Sequence, residues 1–169
     1  MMTTTTVRVA TESGDLRGAA LLRWEWKGDD DSAARAEFAD GFVAWAGAHA
    51  GSHTCFVAER HGAIVGCAWL ALTDRVPGPG NFARRTGDIQ SVYVTVPARR
   101  AGVGAALINA ILDRAAESGA ERVVVHSSVE AVSFYRELGF RSSDILLDTR
   151  IPVGGPTPAE RPRPQEDPS

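Results

Sequence analysis

The chain has 169 residues, of which 44% are hydrophobic and 23% are charged, and its formal net charge is −3. This length suits one globular domain, and the average composition excludes a wholly disordered or collagen-like protein. No apolar run approaches the roughly 18 residues of a membrane-spanning helix, and the N-terminus lacks the pattern of a secretory signal. The acidic balance argues against general nucleic-acid binding. We therefore expect a protein that binds neither a membrane nor a nucleic acid.

The predicted secondary structure alternates between strands and helices along the chain. β-branched runs indicate strands, and apolar residues at helical spacing indicate helices. The predicted strands cover residues 7–11, 55–60, 63–72, 89–96, 122–126 and 145–151, with an optional short strand at 140–142. The predicted helices cover residues 15–26, 32–50, 102–118 and 129–138. Ser13 is the predicted cap of the first helix, and Asp31 or Ser32 that of the second.

A strand, a glycine-containing turn, a helix and a further strand follow one another in the middle of the chain. This order forms a βαβ unit, so part of the sheet must be parallel, whereas the hairpin before it is antiparallel. The predicted class is α/β of the α+β type, with a mixed, mostly antiparallel sheet of about six to seven strands and about four helices. The domain is expected to span residues 7–151, between a flexible N-terminus at 1–6 and a disordered, proline-rich tail at 152–169.

The two cysteines lie in the two strands of the predicted hairpin, which turns at His61 and Gly62. This turn would place Cys67 opposite Phe56 and would leave Cys55 on the other face, so a disulfide is not expected. Free thiols and the missing secretory signal predict a cytoplasmic protein. The spacing of the cysteines and the four histidines indicates no metal site.

The segment IQSVYVTVPARRAGVGA, residues 89–105, predicts an anion site. A strand ends there, two arginines and two glycines follow, and an apolar helix begins. The first N–H groups of a helix have no internal partner and attract anions, and a pyrophosphate is a suitable ligand. The alternative is that these glycines only form a tight turn. Leu107 occupies the third-glycine position of a dinucleotide fingerprint, and no Walker Gly-Lys-Ser/Thr is present.

Two motifs resemble those of the GNAT acyl-CoA-dependent N-acetyltransferases. Arg99-Arg100-Ala101-Gly102-Val103-Gly104 resembles that family's R/Q-x-x-G-x-G/A motif, and residues 131–140, AVSFYRELGF, resemble its A-x-x-F-Y-x-x-x-G-F signature. The resemblance covers about residues 53–150 and implies the GNAT fold. It also implies acetyl-CoA as cosubstrate and an amine as acceptor. Many members of the family are dimers, so a homodimer is an expectation as well.

The resemblance implies a role for each matching residue in binding the cosubstrate. The backbone amides of the turn would hold the pyrophosphate of acetyl-CoA, and the edge of the strand at Val92 and Val94 would pair with its pantetheine arm. Ser128 stands where the family commonly has an asparagine that contacts the cofactor. The turn residues are Arg99, Arg100, Ala101, Gly102, Val103, Gly104 and Ala105. Arg100 departs from the glycine that usually follows the motif's first arginine.

The catalytic assignments depend on the same resemblance. Tyr135 matches the family's common general acid, which protonates the departing thiolate; the alternative is a core tyrosine beside Phe134. Gln90 stands where many members have a glutamate base, and glutamine cannot accept a proton. Asp88, two residues earlier on the same strand face, is therefore the candidate base, ahead of Glu25 and His126.

The acceptor side of the family's site is formed by the two early helices and by the loop before the motif strand. Trp24, Phe82 and Gln90 are the candidate substrate-binding residues here. The nearby aromatic and acidic residues favour a cationic acceptor, whereas the arginines favour an anionic one, so charge does not select the substrate. The favoured alternative is that Trp26 and Trp45 are core residues at helical spacing.

These observations predict an N-acetyltransferase that moves an acetyl group from acetyl-CoA to a primary amine by direct attack in a ternary complex. No sequence feature supports an acyl-cysteine intermediate. Two alternatives stay open. One is a non-catalytic acyl-CoA-binding sensor or interaction domain, and the other is a protein-modifying acetyltransferase.

Overall fold

A computed structural model describes residues 4–28 and 31–149 of the chain. Five strands and four helices alternate in it. The strands are β1 (Thr6–Val9), β2 (His53–Arg60), β3 (Ala63–Asp74), β4 (Arg85–Val94) and β5 (Ala120–Val125). The helices are α1 (Ser13–Lys27), α2 (Ser32–Ala48), α3 (Val103–Glu117) and α4 (Val132–Glu137), with 3₁₀ turns at Val96–Ala98 and Val129–Ala131.

The chain forms two compact units. The first, Met1–Ala131, holds the whole five-stranded sheet with α1, α2 and α3. The second, Val132–Ser169, holds α4 among its described residues. Within the described part of the chain, no helix is long and apolar enough to cross a membrane.

The sheet has the strand order β1-β2-β3-β4-β5. The first four strands pair antiparallel, and β5 joins parallel to β4 after the α3 crossover. This topology confirms the mixed, mostly antiparallel sheet with a central βαβ unit. The described residues contain five strands, fewer than the six to seven expected.

The missing strand is the one predicted at residues 145–151. Residues 145–149 form no strand, and Ile145 and Leu147 are 81% and 89% exposed. The apolar pattern favoured a strand here, but a strand also needs a neighbour with which to share hydrogen bonds. The optional strand at 140–142 is likewise not formed. Residues 150–151 and the predicted tail at 152–169 lie outside the described residues.

The helix caps follow the prediction at one helix and depart from it at the other. The Asp31 carboxylate accepts hydrogen bonds from the N–H groups of Ala33 and Ala34, at 2.9 and 3.0 Å, and so caps α2 as expected. Ser13 does not cap α1, because the helix already includes it and Glu12 occupies the cap position without a side-chain bond.

The β2–β3 hairpin turns where the sequence predicts, but its register differs. His61 and Gly62 both have positive φ, 52° and 76°, as a two-residue hairpin turn requires. A β-bulge between Ala58 and Glu59 shifts the pairing so that Cys67 lies opposite Val57, not Phe56. Cys55 and Cys67 therefore share a face of the sheet, which corrects the predicted register, and both thiols are free and buried.

The core lies on both faces of the sheet. On one face α1 and α2 cover a cluster that includes Cys67, Trp69 and Tyr93. On the other face α3 buries Leu107, Ile108 and Ile111 completely. Gly66 allows α3 to approach closely, since an added Cβ would lie 3.1 Å from the Tyr93 carbonyl oxygen and 3.2 Å from Leu107.

Two tryptophans predicted to be core residues are instead half exposed. Trp26 is 50% exposed and Trp45 is 41% exposed. Trp45 lies near the end of α2, where it contacts Trp69 edge-on and stacks on His49. Helical spacing identifies the inner side of a helix but not how far the neighbouring elements extend over it.

An ionic cluster holds β1 against α1 and β2. The Arg8 guanidinium pairs with Asp15 on both carboxylate oxygens, one of them at 2.8 Å, and with Glu59 at 3.2 Å. Asp15 is buried. The hydrogen bond from Arg8 lowers the pKa of the Asp15 carboxyl, against the opposing effect of burial.

We expect Asp15→Asn to lower the free energy of unfolding by about 1 kcal/mol at pH 7, because the amide cannot pair with Arg8. The lowered pKa means that the ionised carboxylate stabilises the fold above its ordinary pKa, and that this contribution disappears as the pH falls through the folded-state value. Urea unfolding at pH 7 and pH 3 measures both effects. The difference in the free energy of unfolding between the unmodified protein and Asp15→Asn should be smaller at pH 3 than at pH 7. Asp40→Asn, which removes an exposed partner of Arg17, is the matched control and should change little.

Candidate functional site

The parallel pairing of β4 with β5 stops before β4 ends. The register runs from Arg85 opposite Ala120 to Ile89 opposite Val125, and β4 continues to Val94. Within the described residues, no strand pairs with this last stretch on the side that β5 leaves. The strands on either side of α3 thus separate, which leaves an open edge at residues 90–94.

A β-bulge interrupts β4 at the start of this open edge. Tyr93 lies opposite Cys67 and Gln90 opposite Trp69, so three steps along β4 match two along β3. Ser91, inside the bulge, has a φ of 51°. The extra residue puts Tyr93 on the same face as Gln90, and bulges also increase the local twist of a strand. Sequence reasoning missed the bulge, because no glycine marks the positive φ.

Val94 turns its peptide groups toward the open edge. Thr95 donates its N–H to the Val65 carbonyl oxygen at 2.9 Å and so faces β3. Because neighbouring residues of a strand turn their peptide groups to opposite sides, those of Val94 face away from β3. Arg99 donates from Nε to the Val94 carbonyl at 3.0 Å, and this carbonyl retains a second lone pair. Val92 lies on the same unpaired stretch.

The turn that follows β4 has the features of the anion-binding turn that the sequence predicts, and that name is kept for it. Arg100 and Gly102 have positive φ values of 59° and 76°, and α3 begins directly afterwards at Val103. The helical hydrogen bonds of α3 begin at Ala106, whose N–H donates to the Gly102 carbonyl at 3.0 Å. The N–H groups before Ala106 therefore have no acceptor within the helix. The first turn of α3 has no acidic residue. Arg100 thus adopts the left-handed conformation that a glycine would favour at its position.

Asp88 and Gln90 lie together on the sheet face covered by α1 and α2. Gln90 donates from Nε2 to the Asp88 carboxylate at 2.7 Å, and both side chains are half-buried. Gln90 pairs across the sheet with Trp69, and Asp88 with Ala71. The carboxylate is therefore held in a fixed orientation on this face by its neighbour on the strand.

Tyr93 connects β4 to the last turn of α1. Its hydroxyl donates to the Glu25 carboxylate at 2.9 Å, and its ring stacks on Trp26 with the centroids 5.8 Å apart. The Arg99 guanidinium lies 5.7 Å from the centre of the same ring. Burial, and then Glu25, raises the pKa of the Tyr93 hydroxyl. Sequence reasoning missed Tyr93, although an aromatic residue in the motif strand was a visible signal.

Tyr135 belongs to the second unit. It is buried, and its ring contacts Phe134 and Phe140 at centroid distances of 5.1 and 5.4 Å. Burial raises the pKa of its hydroxyl, so the protonated form persists well into the alkaline range. Gly139, with a φ of 91°, ends the segment as the sequence predicts. α4 itself is shorter than expected, because a 3₁₀ turn replaces its first residues.

The remaining candidate residues are spread around the first unit. Ser128 follows β5, is exposed, and accepts the N–H of Ala131 at its carbonyl. His126 is also exposed. Phe82 is 83% exposed in the loop before β4, so the length of β4 separates it from the anion-binding turn. Trp24 is buried near the end of α1. Among the described residues, no group of three or more potential ligands could hold a metal ion.

An edge strand with free peptide groups that leads into an anion-binding turn suits an extended ligand with amides and a phosphate. Comparison of the chain with known protein families identifies the family to which it belongs. Residues 18–140 match the model of the Acetyltransferase (GNAT) family. The chain therefore belongs to the GNAT family.

Curated relatives agree with this assignment. The chain is 34% identical over 89 residues to a glucosamine 6-phosphate N-acetyltransferase from Trypanosoma brucei brucei, a match that covers 53% of this chain and 58% of that protein. It is 32% identical over 89 residues to a mycothiol acetyltransferase from Amycolatopsis mediterranei, covering 50% of this chain and 29% of that protein. The chain thus spans less than two thirds of the length of these relatives.

Solved structures share the fold over most of the chain. A Trypanosoma brucei acetyltransferase superposes with a TM-score of 0.70 at 25% identity, covering 88% of this chain and all of that one. A predicted acetyltransferase from Clostridium acetobutylicum, solved with acetyl-CoA, has a TM-score of 0.66 at 18% identity and covers 87% of this chain and 96% of that one. The second likeness shows the fold alone.

Gly102 tests whether the turn depends on a left-handed residue. We expect Gly102→Ala to lower the free energy of unfolding by about 1 kcal/mol, because an L side chain is strained at a φ of 76° even though no atom lies within 4 Å of the added Cβ. Gly41→Ala, inside α2 and equally uncrowded, should instead stabilise the fold by about 0.5 kcal/mol. Chemical denaturation measures both. Equal effects of the two substitutions would contradict the strain argument.

Proposed function

We propose that this protein is an acetyl-CoA-dependent N-acetyltransferase that acts on a primary amine by direct attack in a ternary complex. The open edge of β4, which leads directly into the anion-binding turn, is the observation that carries the proposal. Membership of the GNAT family supports it. A relative named for acetylating glucosamine 6-phosphate, which has a primary amine, supports this class of acceptor.

The described residues suit two parts of acetyl-CoA, its pyrophosphate and its pantetheine arm. The backbone N–H groups of residues 99–105 would hold the pyrophosphate, and the positive charges of Arg99 and Arg100 favour it further. The peptide groups of Val92 and the carbonyl of Val94 would pair with the pantetheine amides as an added strand pairs with a sheet. Ser128, after β5, would contact the cosubstrate as a shorter replacement for asparagine.

Acetyl-CoA supplies the thioester, and the residues of this chain manage the protons and the developing charge. Asp88, which Gln90 holds and which lies six residues before Val94 on β4, would receive the proton of the acceptor amine through water. The Val94 N–H would stabilise the oxyanion of the tetrahedral intermediate. Tyr135, at the position of the family's general acid, would donate its hydroxyl proton to the departing thiolate. Trp24, Gln90 and Phe82 remain the proposed contacts with the acceptor.

The two cysteines do not support an acyl-enzyme route. Both thiols are buried, and burial raises the pKa of Cys67 to about 12 and that of Cys55 further still. A thiolate is the reactive form, so neither residue offers a nucleophile near neutral pH. Two free thiols also fit the proposed location in the reducing cytoplasm. A homodimer and the absence of nucleic-acid partners remain predictions from the sequence.

Thermal unfolding with acetyl-CoA tests the cosubstrate. A ligand at 100 times its Kd adds about 2.7 kcal/mol to the free energy of unfolding, which raises the Tm. Ala101→Glu places a negative charge in the exposed turn, so it should keep the fold but remove most of this shift through repulsion of the pyrophosphate. Ala44→Glu, exposed on α2, should retain the full shift. No shift for the unmodified protein at any concentration would contradict the assignment.

Tyr135→Phe tests the general acid and separates an enzyme from a binding protein. We expect kcat to fall by about 100-fold, because the departing thiolate loses its proton donor, while the acetyl-CoA shift persists. Asp88→Asn should lower kcat/KM, because an amide cannot accept the proton of the acceptor amine. Thiol release measures both. Unchanged turnover in Tyr135→Phe would remove this residue from the mechanism, and no turnover of any amine by the unmodified protein would favour a non-catalytic acyl-CoA binder.

A further inference from the structure

A cavity of about 410 Å³ opens between the last turn of α1 and α2. Its volume lies in the range of small-molecule sites. Four residues near the end of α1 and one residue of α2 line it: Arg23, Trp24, Trp26, Lys27 and Phe38. All of them lie in the first unit.

Aromatic rings form the walls of this cavity. Trp24 and Phe38 pack with their centroids 5.5 Å apart at an angle of 46°, which fixes the inner wall. Trp26 is 50% exposed and lines the cavity beside Arg23, whose guanidinium lies over its ring. Such walls favour a flat, apolar group, because burial of that group removes apolar surface from water on both partners.

Among the described residues that line the cavity, the charged ones are Arg23 and Lys27. The Arg23 guanidinium lies 4.5 Å from the centre of the Trp26 ring, and the Lys27 ammonium lies 4.8 Å from that of Trp24. The intervening carboxylate, Glu25, is not part of the lining and instead accepts the Tyr93 hydroxyl. The helix therefore separates its charges, with the carboxylate toward β4 and the guanidinium toward the cavity.

Trp26 connects the cavity to the candidate site. Its ring lines the cavity and also stacks on Tyr93, the residue before Val94 on the open edge of β4. A ligand that reached from the edge to the cavity would pass Glu25 first and Arg23 afterwards. An amine near the first and an anion near the second would match these two charges in order.

We propose that the cavity binds the part of the acceptor remote from its amine, and that this part is a flat, apolar group carrying a carboxylate or phosphate. The inference rests on the proposed N-acetyltransferase function and names the class of acceptor for the same site. The anion pairs with the Arg23 guanidinium, which the Trp26 ring holds in place, and the flat group lies against the aromatic walls.

Three amines of one shape test the charge preference. The probes are 4-(2-aminoethyl)benzoate, its neutral carboxamide and the corresponding cationic benzylamine, assayed with acetyl-CoA by thiol release. We expect kcat/KM for the benzoate to exceed that for the carboxamide by about tenfold, with the benzylamine slowest, and the ratio to fall as salt is added. Equal rates for the three probes would overturn the proposal.

Arg23→Gln assigns the preference to the cavity. The substitution should bring the benzoate and carboxamide within about twofold of each other, mainly by raising KM for the benzoate. Arg17→Gln, on the same helix but paired with Asp40, is the matched control and should keep the full preference. An unchanged preference in Arg23→Gln would overturn the proposal, as would its equal loss in Arg17→Gln.

Direct binding keeps the cavity testable even if none of the three amines is acetylated. The probes are then 4-methylbenzoate and 4-methylbenzamide, followed by NMR of the tryptophan indole N–H signals. Saturable shifts with the benzoate that disappear in Arg23→Gln support the proposal, whereas no shift or equal shifts with both probes overturn it. The thermal shift with acetyl-CoA, measured on the same variants, reports separately on the cosubstrate site.

Discussion

The separation of β4 from β5 is the constraint on which the candidate site depends. Paired strands satisfy each other's peptide groups, so a ligand can bind along a strand only where that pairing ends. Here it ends at Ile89, and the bulge at Ser91 starts the open stretch immediately afterwards. The positive φ of a serine costs about 1–3 kcal/mol, which the flanking hydrogen bonds of β3 and β4 must offset. The open edge follows from the end of this pairing, and the position of Tyr93 on the face of Gln90 follows from the bulge.

The two hydroxyls with raised pKa values illustrate two different environments. Tyr93 donates to a carboxylate and lies beside a guanidinium, so its hydroxyl is already committed to a hydrogen bond with Glu25. Tyr135 is surrounded by aromatic rings, and burial alone raises its pKa. A general acid needs a proton that it can release to a new partner, and Tyr135 meets this requirement better than Tyr93 does. A buried ring against Phe134 and Phe140 is also what the alternative, a core tyrosine, predicts.

Local sequence signals predicted the elements of the fold, while features that depend on register or tertiary contact were wrong or missed. The hairpin turn at His61 and Gly62, the Asp31 cap and the helix after Gly102 each depend on a few neighbouring residues, and all are present. The bulges near Ala58 and at Ser91 shift side chains between faces without any marker in the sequence. Exposure of Trp26 and Trp45, and the unformed strand at residues 145–149, likewise depend on distant neighbours. The motif located the turn between β4 and α3, but the cavity between α1 and α2 became visible only in three dimensions.

Gly66 has a consequence for how the two halves of the ligand site are related. Because Gly66 has no side chain, β3 packs directly against α3 at this position. The Tyr93 carbonyl of β4 lies against the same residue. The open edge belongs to β4, and the anion-binding turn belongs to the start of α3, so one close-packed contact fixes the distance between them. A ligand that bound both parts would meet a fixed distance between them. Its recognition would then depend on the spacing between its amides and its phosphate as much as on either group alone.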